Sequence, residues 1–167
     1  MYHKNIVLIG MPGAGKSTVG VLLAKALGMS FVDTDLLIQE QEQRLLQEII
    51  DQQGIKEFLK IEEEVLLGLQ VDNSVIATGG SAIYSLPAIK HLQASGKLVY
   101  LQISLPELSL RLQNMAQRGV VMQKGETLAD LYAARTPLYA KYADRIVDCS
   151  GLTIEETVKR IIANLYN

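Results

Sequence analysis

Near the start of the chain the run Gly10-Met11-Pro12-Gly13-Ala14-Gly15-Lys16-Ser17-Thr18 fits G-x-x-x-x-G-K-[ST] throughout. Residues of these types at this spacing suit one task, holding a nucleotide phosphate. Glycines at 10, 13 and 15 let the backbone curl so that successive N–H groups point inward, and no Cβ obstructs the phosphate oxygens. Lys16 adds a mobile positive charge. Ser17 offers a hydroxyl to a Mg²⁺ bridging the terminal phosphates, and a helix beginning there turns its positive dipole end toward the same anion. Two carboxylates, Asp33 and Asp35, stand two residues apart further on. Their side chains share a side if a strand continues through them and diverge if a helix starts at Thr34, and one of them could simply cap that helix. Gly79 and Gly80 follow an apolar stretch ending in Thr78, where paired glycines let backbone amides approach a substrate hydroxyl or a phosphoryl group. The plain alternatives are a chance glycine-rich turn at 10–18 and a tight turn at 79–80.

The elements that must position these residues read as follows. Ile6-Val7-Leu8-Ile9 is an uninterrupted apolar run, as expected of a central parallel strand buried on both faces. Val19, Leu22, Leu23, Ala26 and Leu27 recur at helical spacing until Gly28 stops them, so strand, loop and helix stand in the order phosphate binding needs. Strands are expected over 4–10, 30–33, 74–78, 97–103 and 145–147. Helical patterns alternate with them, which argues for an α/β fold with a five-stranded parallel sheet wrapped on both sides. A helical region over 35–69, interrupted near Gln52-Gln53-Gly54, exceeds a minimal crossover and is expected to cover the acceptor. The polar segment 117–127, with Gly119 and Gly125, reads as a lid. The last helix, 154–165, carries an apolar stripe at Ile154, Val158, Ile161, Ile162 and Leu165 and starts from a Thr153 cap.

At 167 residues the chain is expected to form one domain over 1–167. It is 49% hydrophobic with a net charge of −2, so it lacks both the basic surface of a nucleic-acid binder and an acidic tail. A small neutral or anionic metabolite is the expected partner. The single cysteine, Cys149, cannot form an internal disulfide and reads as a packing residue. The start of the chain shows no signal-like segment, and no apolar run approaches the roughly 20 residues that span a bilayer. A cytoplasmic monomer with no membrane or nucleic-acid partner is expected. His3 and His91 have no neighbouring metal-ligand partners and read as surface residues.

Four blocks together resemble the shikimate kinase family over essentially the whole length. They are the 10–18 loop, Phe31-Val32-Asp33-Thr34-Asp35, Ala77-Thr78-Gly79-Gly80, and Arg135-Thr136-Pro137-Leu138-Tyr139 followed by Ala143-Asp144. The resemblance implies a P-loop kinase fold with strand order 2-3-1-4-5, use of ATP and Mg²⁺, and transfer of the terminal phosphoryl group to the 3-hydroxyl of shikimate. It assigns the nucleotide to Gly13, Ala14, Gly15, Lys16, Ser17 and Thr18, with Arg111 against adenine and 148–152 as the opposite wall. It gives Mg²⁺ to Ser17 and Asp33. Asp35 would orient or deprotonate the attacking hydroxyl, and Arg118 would reach the phosphates from the lid. Arg135 would grip the substrate carboxylate, with Gly79, Gly80 and Glu62 on the acceptor side.

The acceptor half of the pattern is edited. Where the family has Phe-Arg-x-x-Glu this chain reads Phe58-Leu59-Lys60-Ile61-Glu62, so a second carboxylate-binding arginine is replaced by Leu59. Removing one partner from a desolvated carboxylate costs roughly 2–5 kcal/mol, about thirtyfold to several thousandfold in binding. Lys56, nearly a turn back, is a substitute within reach as a point charge. The family's third glycine is Ser81, which costs about 1–2 kcal/mol if that position needs a positive φ. Gly119-Val120-Val121 stands where the family has proline and leucines. Glu62, deprived of its usual arginine, is expected to pair with Arg135 or Lys56. Alternatively it binds an ammonium, which would make the acceptor a hydroxy amino acid. A noncatalytic nucleotide-binding regulatory module is the remaining alternative, and Lys16, Ser17, Asp33, Asp35 and Arg118 argue against it.

Overall fold

The computed structural model describes residues 4–113 and 120–167. Five parallel strands form the sheet: β1 (Asn5–Ile9), β2 (Ser30–Asp33), β3 (Ser74–Ala77), β4 (Gly96–Gln102) and β5 (Arg145–Asp148). Their order is β2-β3-β1-β4-β5, as the resemblance implied. Burial follows from that order. Every residue of β1 and β3 is buried, whereas the edge strands β2 and β5 are mostly half-buried or exposed.

Side chains alternate across the central strands, so each strand feeds two cores. Val7 and Ile9 of β1 pack with Ile76, Leu98 and Tyr100 beneath α4 (Leu86–Ser95) and α6 (Leu128–Tyr142). Ile6 and Leu8 face the other way, onto Val19 and Leu23 of α1 (Lys16–Leu27) and Ile161 of α7 (Ile154–Tyr166). Helix α1 ends on Gly28 at φ 66°, a left-handed cap that glycine adopts without a Cβ penalty. Thr153 caps α7 through its hydroxyl, which accepts from the Glu156 N–H at 3.2 Å.

A third, smaller cluster lies off the sheet. Ile38 of α2 (Thr34–Glu42) packs there with Ile49, Phe58 and Ile61 of α3 (Leu46–Leu67), and Val121 closes it from the segment before α6. The helical region after β2 is broken twice. Gly54, at φ 85° and ψ 167°, kinks α3 where the sequence signals it, and Gln43 at φ 53° separates α2 from α3 where no glycine or proline does. Helix α5 (Leu105–Gln113) follows β4 and brings its face over the glycine-rich loop. Among the described residues, no helix is long and apolar enough to cross a membrane.

His91 is half-buried rather than a surface residue. Its Nε2 lies 2.8 Å from the Leu69 carbonyl, tying α4 to the chain after α3. His3 falls outside the described residues. Cys149 is buried, and burial pushes its thiol up to about 11, as suits a packing residue.

Candidate active site

The glycine-rich loop leaves β1 and wraps the start of α1. Gly10, Gly13 and Gly15 all have positive φ, at 149°, 83° and 93°, so the loop's curl depends on residues without a Cβ. A Cβ at Gly10 would also lie 2.9 Å from the Leu101 carbonyl. Lys16 is buried and donates through Nζ to the carbonyls of Gly10 at 2.7 Å and Met11 at 2.8 Å, which holds its charge inside the loop. Ala14 is buried in the core beneath, and Thr18 is exposed on the first turn of α1. Arg111 on α5 arches over the loop, donating to the Ala14 carbonyl at 3.2 Å and to Glu107 at 2.9 Å. Glu107 in turn accepts from the Gly151 N–H at 2.9 Å, so α5, the loop and the 149–151 turn are joined.

The two aspartates diverge because α2 starts at Thr34. Asp33 is its cap: Oδ1 accepts from the N–H groups of Asp35 at 3.0 Å and Leu36 at 3.3 Å. Its other oxygen, Oδ2, accepts from the Ser17 hydroxyl at 2.7 Å. Capping and proximity to Ser17 are therefore properties of one residue. Asp35, in the first turn of α2, turns instead toward Gly79, where an added Cβ would lie 2.7 Å from its Oδ1 and 2.6 Å from Glu62 Oε2. Only glycine leaves room between those carboxylates. At Gly80 a Cβ would lie 2.8 Å from Pro12 and 2.9 Å from Arg135 Nη1.

The turn that carries Gly79 and Gly80 is fastened at both ends. Thr78 donates its hydroxyl to the Leu8 carbonyl at 2.9 Å, and Tyr139 of α6 donates to the Gly80 carbonyl at 2.6 Å. The Tyr139 ring stacks on Tyr100 at 5.2 Å, and burial pushes its phenol well above the usual range. Tyr139→Phe strands the Gly80 carbonyl. We expect a loss of about 1–3 kcal/mol, read as a fall of about 2–4 °C in Tm for each kcal/mol in thermal melts.

Arg135, only 1% exposed, lies on α6 with its Nη2 donating to the Val121 carbonyl at 2.7 Å. Its Nε donates to the Tyr84 hydroxyl at 3.3 Å, and the guanidinium sits 5.3 Å from that ring's centre. Neither Arg135 nor Lys56 is the partner of Glu62. Its Oε1 accepts instead from Ser81 Oγ at 2.6 Å, and its Oε2, buried, has no hydrogen-bond partner among the described residues. Lys56 and Lys60 are exposed and line no part of the cavity described below, while Leu59 packs against the third cluster. Burial first, and the charge of Asp35 second among the raising causes, push Glu62 up to about 7, against the lowering effects of Ser81, Arg135 and Lys16. Ser81 itself has φ −88°, an ordinary right-handed conformation, so this position requires no glycine and stores no strain.

A cavity of about 620 Å³ joins these groups. It runs from Gly13, Gly15, Lys16 and Ser17, past Asp33 and Asp35, to Glu62, Gly79, Gly80 and Arg135. Val120 and Val121 also line it, so among its described residues the expected lid reaches the site through these two. Arg118, with the rest of that segment's start, lies outside the described residues. The sequence did not signal the Ser81–Glu62 bond, the Tyr84–Arg135 contact or the Tyr139–Gly80 bond. The buried tyrosine in the block after Arg135 was the one available hint.

A glycine-rich P-loop and a wall bearing two carboxylates and a guanidinium share one cavity, an arrangement of the P-loop phosphotransferase class. Residues 12–166 match the shikimate kinase family. The chain belongs to the shikimate kinase family. It is 38% identical over 162 residues to shikimate kinases from Francisella tularensis subsp. novicida (strain U112) and Mycobacterium avium (strain 104), covering 95% of this chain and 92% of each relative. Among solved structures it resembles a shikimate kinase from Acinetobacter baumannii in complex with shikimate, at TM-score 0.85 and 32% identity, covering 95% of this chain and 90% of that one. The shikimate kinase from Aquifex aeolicus vf5 matches at TM-score 0.83 and 32% identity, covering 97% and 96%. The chain is thus a kinase, an ATP-dependent phosphotransferase acting on an alcohol.

Proposed function

We propose that this chain transfers the terminal phosphoryl group of ATP to the 3-hydroxyl of shikimate. The observation that carries the reading is the single cavity in which a carboxylate for the hydroxyl, Asp35, and a buried guanidinium for the acceptor carboxylate, Arg135, share walls with the phosphate-binding loop. Its likeness to a shikimate kinase solved with shikimate supports the same acceptor.

In this reading the N–H groups of 13–18 and the Lys16 ammonium hold the phosphates, and Asp35 takes the proton of the attacking hydroxyl while fixing its direction. Gly79 and Gly80 bring backbone to the acceptor, and Arg135 anchors its carboxylate. The Ser17 hydroxyl and the Asp33 carboxylate, 2.7 Å apart, are a pair of hard oxygen donors that fits Mg²⁺. They would hold the ion directly or through its waters, and it would neutralise phosphate charge. Arg118 is proposed to approach the phosphates, and Arg111, beside the loop, to flank adenine. We further propose that 1–167 works as one kinase domain, with its acceptor region over 35–70 and its lid over 117–127. A monomer is proposed, and an ATP-dependent activity with one buried cysteine supports a cytoplasmic location.

The hydroxy amino acid alternative requires an ionised Glu62 to meet an ammonium. Burial beside Asp35 disfavours that form. Acceptor-dependent ADP release tests the reading: we expect release with shikimate and background rates with hydroxy amino acids. Release on an amino acid alone would replace the acceptor, and ATP binding without any acceptor dependence would make the chain a nucleotide-binding module.

A further inference from the structure

Glu107, in the first turn of α5, divides its carboxylate between two elements. Oε1 accepts from Arg111 Nη2 at 2.9 Å, one helical turn further on, and Oε2 accepts from the Gly151 N–H at 2.9 Å, forty-four positions away. These donors belong to the two walls assigned to adenine, Arg111 and 148–152. An exposed i,i+4 ion pair is by itself a weak contact, whereas a half-buried carboxylate that also accepts from a fixed backbone N–H is a strut between walls. The turn does not need Glu107 for its own shape. Asp148 Oδ1 accepts from the Ser150 N–H at 3.0 Å, Ser150 Oγ accepts from the Ser104 N–H at 3.0 Å, and the Cys149 N–H donates to the Gln102 carbonyl at 2.8 Å. Arg111 does need it. Its other bonds among the described residues go to the carbonyls of Ala14 at 3.2 Å and Gly13 at 3.4 Å, the long end of the hydrogen-bonding range, and both draw the guanidinium down onto the glycine-rich loop.

We propose that Glu107 is a positioning residue for the nucleotide base, holding the Arg111 guanidinium at a fixed separation from the 149–151 turn so that the slot between them is set before ATP arrives. The inference rests on the reading that Arg111 and 148–152 flank adenine. A planar guanidinium stacks on a base only in one orientation, and a long side chain that must be ordered during binding costs affinity. Glu107 removes that cost by holding Nη2 while Nη1 rests on the loop. Its effect therefore falls on the base. The phosphates are left to the backbone N–H groups of the loop and to Lys16, and neither Glu107 nor Arg111 lines the cavity that holds Asp35 and Arg135.

The test compares, in calorimetric titrations, the Kd for ATP with the Kd for inorganic triphosphate, which fills the loop but carries no base. Glu107→Ala should weaken ATP about three- to thirtyfold and triphosphate by less than about twofold. Glu107→Gln keeps the shape and one acceptor oxygen, but its amide nitrogen cannot accept from the second wall, so it should weaken ATP by a smaller factor of at least about twofold. In an Arg111→Met chain, Glu107→Ala should add less than about twofold, because a residue that acts through Arg111 has nothing left to orient. Equal weakening of ATP and triphosphate overturns the inference, since the pair then braces the loop. Fully additive losses in the double variant overturn it too, as does an unchanged Kd for ATP in Glu107→Ala. The titrations need no acceptor, so absence of shikimate turnover overturns the functional reading alone, whereas a wild-type chain that binds ATP no more tightly than triphosphate overturns the adenine slot and the inference with it.

Discussion

Asp35→Asn should lower kcat by about 10²–10⁴-fold while leaving the KM for ATP near its wild-type value. Asparagine keeps the volume and one acceptor oxygen but cannot take the hydroxyl's proton. The helix start is unaffected, because the neighbouring Asp33, not Asp35, caps α2 and bonds Ser17. Single-turnover rates at saturating shikimate would isolate the chemical step. A loss smaller than tenfold there would mean that Asp35 orients the acceptor without accepting its proton.

The nucleotide half of this molecule was readable because it is built from backbone conformation. Glycines at 10, 13 and 15 sit at positive φ, and an apolar strand and an amphipathic helix flank them in sequence, so local rules suffice. The acceptor half is built from side-chain partners far apart in the chain. Glu62 meets Ser81 nineteen positions away, and Tyr139 meets Gly80 fifty-nine away. No local pattern specifies such pairs, because which face of α3 or α6 turns inward is decided by packing. Whether Ser81 needs a positive φ was open in the sequence for the same reason, and its φ of −88° shows that it does not. The break between α2 and α3 was invisible because Gln43 takes the left-handed conformation without glycine, asparagine or proline to announce it.

Glu62 also shows that the site is maintained against stability. A carboxyl whose native value is about 7, against 4.5 as its unperturbed value, keeps a proton in the folded chain that the unfolded chain has released. Its contribution to stability therefore falls as pH rises from about 4.5 to about 7 and stays at its lowest above that. The cost at neutral pH is about 3 kcal/mol, a large fraction of the stability of a domain this size. Ser81 offsets part of it, and an apolar residue at 62 would remove it altogether.

Arg135 carries the second large effect. Arg135→Met should lower kcat/KM for shikimate by about thirtyfold to several thousandfold, and Arg135→Lys should recover little of it, because an ammonium cannot present two parallel donors to a carboxylate. The residue has two jobs that must be separated. Through Nη2 it holds the Val121 carbonyl, and Val121 closes the cluster containing Phe58 and Ile61. Through the rest of the guanidinium it faces Gly80 and the cavity. Loss of the first job unsettles the segment before α6 and lowers Tm. Loss of the second raises the KM for shikimate and leaves ATP binding in place. Lysine can still reach a carbonyl, so Arg135→Lys should hold most of the Tm while failing on KM. If Arg135→Met lowers Tm but binds shikimate as tightly as wild type, the guanidinium is a bolt for Val121, and the acceptor carboxylate must be held elsewhere.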